Sequence, residues 1–321
     1  MTSSKKKFLK KVLKGIAITI IVYLTVSMIA TKLIYDSVFQ RYNAENPQNI
    51  LAETTDMVKN RKSFTYQCGE NNLNGYLYSD GKCENGLIVF APGFKSESVE
   101  YEGVVYAFLQ EGFDVFIFNP TGHGNSGGED SVGFPQIITD LESTMNFINS
   151  NNSFDYKDIF LFGHSRGGYG VCCVANKYNN ISAVVSVSGM DKSMDAIMSY
   201  STSYVGGIAY GNYPFLSLYE GIIFGSELSG SSAVEELNQS QIPSLVIQAA
   251  EDDQIPPDKF SIYSHRDEIT SKNVEYLLYT KSGSNGHVSI LYDKNRNPNY
   301  DVIEKITAFY KENSKNQRMV K

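Results

Sequence analysis

From about residue 63 onward the chain alternates short apolar runs with stretches of helical period. Runs at 64–67 and 75–78 read as an antiparallel pair. The runs at 87–90 (LIVF), 114–118 (DVFIF), 159–162 (IFLF), 183–187 (AVVSV), 244–248 (SLVIQ) and 274–279 read as further strands, with helices near 99–111, 135–149, 166–178 and 300–313. Strands alternating with helices predict an α/β architecture, a mainly parallel sheet covered on both faces. One interval breaks the rhythm: 187–244 holds over 50 residues rich in Ser, Tyr and Gly. A long insertion in a compact unit is usually functional. It reads either as a lid over about 190–240 or as a structural excursion, and its aromatics (Tyr200, Tyr204, Tyr210, Tyr213 and Phe215) either line an apolar acyl or aryl pocket or simply pack.

Ahead of this pattern stands a different one. Lys5, Lys6, Lys7, Lys10, Lys11 and Lys14 precede an uncharged apolar run, so that residues 15–34 hold a single charge, Lys32, near their end. A bilayer core of roughly 30 Å needs about 20 mainly apolar residues in a helix, which this segment supplies. The lysine excess on one side predicts a cytoplasmic N-terminus at the cell membrane, with the rest of the chain extracytoplasmic. Two other readings compete. A cleaved signal peptide wants small residues at −3 and −1, which Met28 before Ala30 does not provide. An amphipathic surface helix wants its apolar residues on one face. The predicted organisation is a basic tail (1–14), a transmembrane anchor (15–34), a juxtamembrane linker or short helix (35–60) and one α/β domain (61–315).

Charge divides the same way. Of 28 Lys plus Arg and 35 Asp plus Glu, residues 1–41 hold eight bases and one acid, leaving a globular part with a net charge of −14. An acidic globule argues against a nucleic-acid partner. Four cysteines are too few for a disulfide framework. Cys68 and Cys83 either pair across adjacent strands or stay as thiols, and the vicinal Cys172 and Cys173 read as small core residues.

The candidate chemistry begins at Gly163-His164-Ser165-Arg166-Gly167, a G-x-S-x-G sequence with a strand before it and a helix after it. That context places a serine on a strained strand-to-helix turn at the C-terminal edge of the sheet. A serine nucleophile needs a base, and the base an orienting carboxylate, here in the chain order Ser, acid, His. Among four histidines, His123 and His164 precede Ser165, and His265 lies in a predicted helix. His287, in the Gly-rich loop after the last strand, is the candidate base. After the run at 244–248 come Glu251, Asp252 and Asp253; Asp252 is favoured and Asp253 held in reserve. The backbone N–H groups of Arg166 and Phe94 are the candidate oxyanion donors. The Arg166 side chain either binds an anionic substrate group or pairs with a local carboxylate. No metal-ligand spacing or phosphate-cradling loop is present, so no cofactor is expected.

These motifs together resemble the α/β-hydrolase superfamily, in particular the monoacylglycerol-lipase-like and serine-aminopeptidase-like branch. The resemblance rests on FAPGF (90–94), NPTGHGNSGG (119–128), GHSRGG (163–168), EDDQIP (251–256) and GHVSI (286–290), in order over about 60–315. It implies an α/β-hydrolase fold and a serine hydrolase, with small-molecule esters or lipids as substrates. A peptidase or acyltransferase of the same fold, and a non-catalytic surface binding protein, are the alternatives. The sequence departs from the family at Pro92 in the oxyanion loop, Asn119 at the start of the next loop and Arg166 after the serine. His123 and Ser126 are expected to shape their turn.

Overall fold

The computed structural model describes residues 3–44, 61–293, 295 and 297–315. Helix α1 (Ser3–Val38) leads into strands β1 (Lys62–Cys68), β2 (Asn71–Tyr78) and β3 (Leu87–Ala91). A 3₁₀ turn (Ser98–Tyr101) opens α2 (Glu102–Gln110), followed by β4 (Asp114–Asn119), α3 (Gln136–Ser150), β5 (Ile159–His164), α4 (Arg166–Val174) and β6 (Ile181–Val187). Three helices come next: α5 (Ser193–Val205), α6 (Ala209–Ser229) and α7 (Ala233–Gln239). The chain closes with β7 (Ser244–Ala249), β8 (Val274–Tyr279) and α8 (Tyr300–Glu312).

The eight strands form one sheet in the order β1-β2-β4-β3-β5-β6-β7-β8. β2 pairs antiparallel with both β1 and β4, and every other pairing is parallel. Strands β3 to β7 are buried along their length, which explains their continuous apolar runs. Separate apolar cores lie on the two faces. Helices α3 and α4 cover one, with residues such as Leu141 and Val171; α2 and α8 cover the other, with residues such as Phe108 and Ile306. Helix α8 buries Val302, Ile303, Ile306, Phe309 and Tyr310, a stripe at helical spacing, and Tyr310 Oη donates to the Leu161 carbonyl at 2.7 Å.

Helix α1 is long and apolar enough to cross a membrane. Its far end bears on the first part of the expected linker or short helix at 35–60. The helix runs to Val38, and Tyr35 and Phe39 are buried in the globule. Residues 39–44 then lie along the loop after β4: Tyr42 N–H donates to the Gly122 carbonyl at 2.9 Å, and Ser131 Oγ to the Phe39 carbonyl at 2.9 Å. Arg41 donates to the carbonyls of Gly124, Ser126 and Gly128. Aromatic side chains at 35 and 39 gain more from burial than from solvent, so the segment docks. The remainder of that expected linker, 45–60, lies outside the described residues. Cys68 and Cys83 are both free: Cys68 is buried against Asp140, whereas Cys83 is exposed.

Candidate active site

Three loops at the C-terminal edge of the sheet converge on Ser165. Its backbone adopts φ 57° and ψ −121°, a conformation a non-glycine residue holds only when its surroundings enforce it. The surrounding glycines show how. A Cβ on Gly163 would stand 2.2 Å from the Gly167 carbonyl oxygen, and one on Gly167 would stand 1.9 Å from that of Ala91. Only glycine at both places lets β5, the start of α4 and the end of β3 close around the turn. The serine hydroxyl is thereby held at the sheet edge.

Ser165 Oγ lies 3.0 Å from His287 Nε2, and His287 Nδ1 lies 2.9 and 2.8 Å from the two oxygens of Asp252. All three residues are buried. Asp252 is fixed in turn by the N–H groups of Gln254 (3.0 Å) and Ile255 (2.8 Å). Burial pushes its carboxyl up, but the hydrogen bond and charge of His287, with the Ile255 amide, outweigh burial and hold it below the usual carboxylate range. Its neighbours Glu251 and Asp253 are exposed. The expected residues Ser165, Asp252 and His287 are thus brought together, whereas His265 sits in a 3₁₀ turn and pairs with Glu268.

The loop after β3 supplies the neighbouring wall. Gly93 N–H donates to Tyr101 Oη at 3.0 Å, so it is already committed, and Phe94 is the next N–H along the loop. Arg166 occupies the first position of α4, where a backbone N–H lacks an intrahelical acceptor. Of its side chain's two expected roles, pairing with a local carboxylate is not met among the described residues. The guanidinium is 1% exposed and forms no ion pair among the described residues. It lies over the Phe94 ring, 5.6 Å from the centroid, and reaches the Gly93 carbonyl only at 3.5 Å. Burial lowers its pKa to about 10 against the opposing charge of Asp140.

Chain order set His164 aside as a base, and the structure gives it a place of its own. Its Nε2 lies 3.0 Å from the His287 carbonyl oxygen, which can only accept, so Nε2 carries the proton. Nδ1, 3.0 Å from Tyr101 Oη, is then the acceptor of the tyrosine proton. A directed chain runs from Gly93 N–H through Tyr101 and His164 to the backbone of His287. Burial lowers the His164 pKa to about 3, assisted by the nearby His287, so the ring stays neutral. Its position inside G-x-S-x-G was the only sequence signal. His123 and Ser126 hold their loop: His123 Nδ1 contacts the Thr121 carbonyl at 2.9 Å, and Ser126 Oγ donates to the Asn119 carbonyl at 2.6 Å.

Two cavities meet here. One of about 240 Å³ exposes Ser165 and His287; another of about 370 Å³ lies beside it, and Phe94, Lys95 and Tyr200 border both. Of the aromatics expected to line an apolar acyl or aryl pocket, Tyr200 borders these cavities. Tyr210 and Tyr213 face outward, Phe215 packs on Tyr23 at 5.7 Å, and the Tyr204 side chain lies outside the described residues.

A family model described as serine aminopeptidase, S33, matches residues 82–206, which include the turn at Ser165. Among solved structures, an esterase of Pyrococcus furiosus superposes with a TM-score of 0.63 at 18% identity, covering 86% of this chain and 98% of that one. The chain has the α/β-hydrolase fold. An α/β hydrolase of Vibrio vulnificus (TM-score 0.62, 16% identity, 88% and 93% covered) shares it. So does Est1E of Butyrivibrio proteoclasticus with ferulic acid bound (TM-score 0.55, 17% identity, 80% and 99% covered). No curated protein matches the chain. Within this α/β-hydrolase fold the antiparallel β1–β2 pair forms one sheet edge, and the α5–α7 excursion stands between β6 and β7.

Proposed function

We propose that the protein is a membrane-anchored serine hydrolase acting on carboxylic esters or lipids. The observation that carries this reading is the hydrogen-bonded line from Ser165 through His287 to Asp252. Ser165 Oγ attacks the ester carbonyl while His287 Nε2 takes its proton, and Asp252 holds the imidazole and balances its charge. The N–H groups of Phe94 and Arg166 receive the developing oxyanion. His287 then protonates the leaving alcohol. Water, deprotonated by the same histidine, releases the acid from the acyl-enzyme. The preformed base contact favours an enzyme over a binding protein.

The aminopeptidase description of the matching family model favours a second reading, peptide hydrolysis by the same three residues. One panel separates them: full-length protein in vesicles, assayed on esters of graded acyl length and on aminopeptidase amides, beside Ser165→Ala. Ester turnover that disappears with Ser165→Ala is expected; turnover confined to amides would replace the ester reading with the peptidase one.

In this reading α1 is the retained anchor, with its lysines on the cytoplasmic side and the α/β unit outside the cell. Support comes from Met28, which stands where a cut after Ala30 would need a small residue. Exposed Cys83 offers a test of sidedness. A membrane-impermeant maleimide applied to intact cells is expected to label it, and labelling only after lysis would reverse the orientation.

A further inference from the structure

The cavity of about 370 Å³ beside the nucleophile has an unusual wall. Ile34, Val38 and Phe39, from the end of the apolar helix, form one side of it, facing Phe134, Ile197 and Leu216. Its size is that of a small-ligand pocket. Among the described residues Lys95, on the border with the Ser165 cavity, is the one charge in its lining. The helix end is held firmly where it forms this wall. Tyr35 Oη donates to Glu220 at 3.4 Å, and its ring packs on Tyr219 at 5.2 Å. Asn212 donates to Thr31 Oγ1 at 3.0 Å. Phe39 packs on Phe134 at 5.1 Å and on Phe94 at 5.4 Å.

We propose that the end of α1 is a substrate-binding element: the acyl chain of the ester extends from Ser165 past Phe94 and Tyr200 and rests on Val38 and Ile34. This rests on the hydrolase reading above. The carbonyl must sit at Ser165 Oγ, and the apolar cavity borders that site, so an apolar acyl tail is the group whose burial the space rewards. The polar side of the ester remains in the smaller cavity with His287. The helix that reaches into the membrane thereby selects substrate as well as location. Through Phe39 it also braces Phe94, whose N–H is the proposed oxyanion donor.

The test uses full-length protein in vesicles and the ratio of kcat/KM for p-nitrophenyl octanoate to that for the acetate. Val38→Trp fills the cavity and is expected to lower that ratio about tenfold, the scale on which an apolar pocket discriminates. Val38→Ala is expected to move the optimum to a longer chain. Leu33→Trp, on an exposed and non-lining position, leaves the ratio unchanged. A ratio unmoved by both Val38 variants would overturn the proposal. If Val38→Trp fails to fold, the chain-length profile of Val38→Ala decides alone. A bilayer-embedded ester of the same acyl chain distinguishes sources. Loss on both esters means that chains enter from either side, and loss confined to the soluble one means that they enter from the water. Labelling of Ser165 by a small fluorophosphonate is read in parallel. Labelled protein with an unmoved ratio refutes only the pocket, whereas unlabelled, inactive wild type refutes the hydrolase reading beneath it.

Discussion

The two cavities beside Ser165 are built by opposite means. The smaller is made of sheet-edge loops whose geometry is dictated locally: Gly163 and Gly167 permit the turn, and Asp252 is held by amides two and three residues ahead of it. The larger is made by elements far apart in the chain, where Phe39 meets Phe94 and Tyr35 meets Glu220. Chemistry that depends on angles and tenths of an ångström sits on the rigid sheet. Apolar shape, which tolerates substitution of similar volume, is left to helices packed around it. The difference teaches that, in the proposed hydrolase, reaction and choice of substrate rest on separable parts of the molecule.

The largest expected effect attacks the loop-built side. Asp252→Asn leaves the geometry nearly intact but no longer holds the required imidazole tautomer, and ester kcat is expected to fall about 10⁴-fold. Stopped-flow or steady-state ester hydrolysis measures it, and a loss below about tenfold would mean that Asp252 does not orient the base. On the helix-built side, Phe39→Ala removes a buried ring and is expected to cost about 3 kcal/mol of stability. Thermal unfolding followed by circular dichroism reports it. An unchanged midpoint would show that the end of α1 is not part of the core.

Tyr101→Phe probes the bond chain joining the two loops of the smaller cavity. Losing one buried hydroxyl costs about 1–3 kcal/mol, and because that hydroxyl holds His164, which in turn holds the His287 backbone, the expected loss is in kcat with KM retained. Equal changes in both would point to a binding role. The mildest effect is one of pH. Burial raises the Glu220 carboxyl to about 7, against the hydrogen bonds from Ser193 and Tyr35. A group raised on folding gives stability that is complete below its unfolded pKa of about 4.3 and is lost as pH rises through the folded value. The unfolding midpoint of the wild type should therefore decline between about pH 4.5 and 7. Glu220→Gln, which cannot ionise, should flatten that decline, and an identical slope would remove Glu220 from the account.

The same comparison explains what the sequence made legible. Most strands were readable because an apolar run bounded by turns reports burial directly, and 274–279 matches β8 to the residue. Ser165, Asp252 and His287 were readable because each sits in a short motif whose backbone demands are local. The docking of 35–44 was not, because a charged, aromatic segment after an apolar helix carries no sign of the groove that receives it. Nor was the bridge from Tyr101 to His287 through His164, since its members come from three elements that only the sheet order brings together. Arg166 misled in one direction. A cation in a buried turn suggests an ion pair, and the ring of Phe94 lies against it instead.

The central claim is that Ser165 is a nucleophile activated by His287. Full-length protein treated with a fluorophosphonate, digested and mapped by mass spectrometry tests it most directly. The account predicts a phosphonyl adduct on the peptide carrying Ser165, rising in step with the loss of ester hydrolysis and absent from His287→Ala. Ester hydrolysis that persists with Ser165 unmodified, or an adduct formed equally fast in His287→Ala, would contradict it.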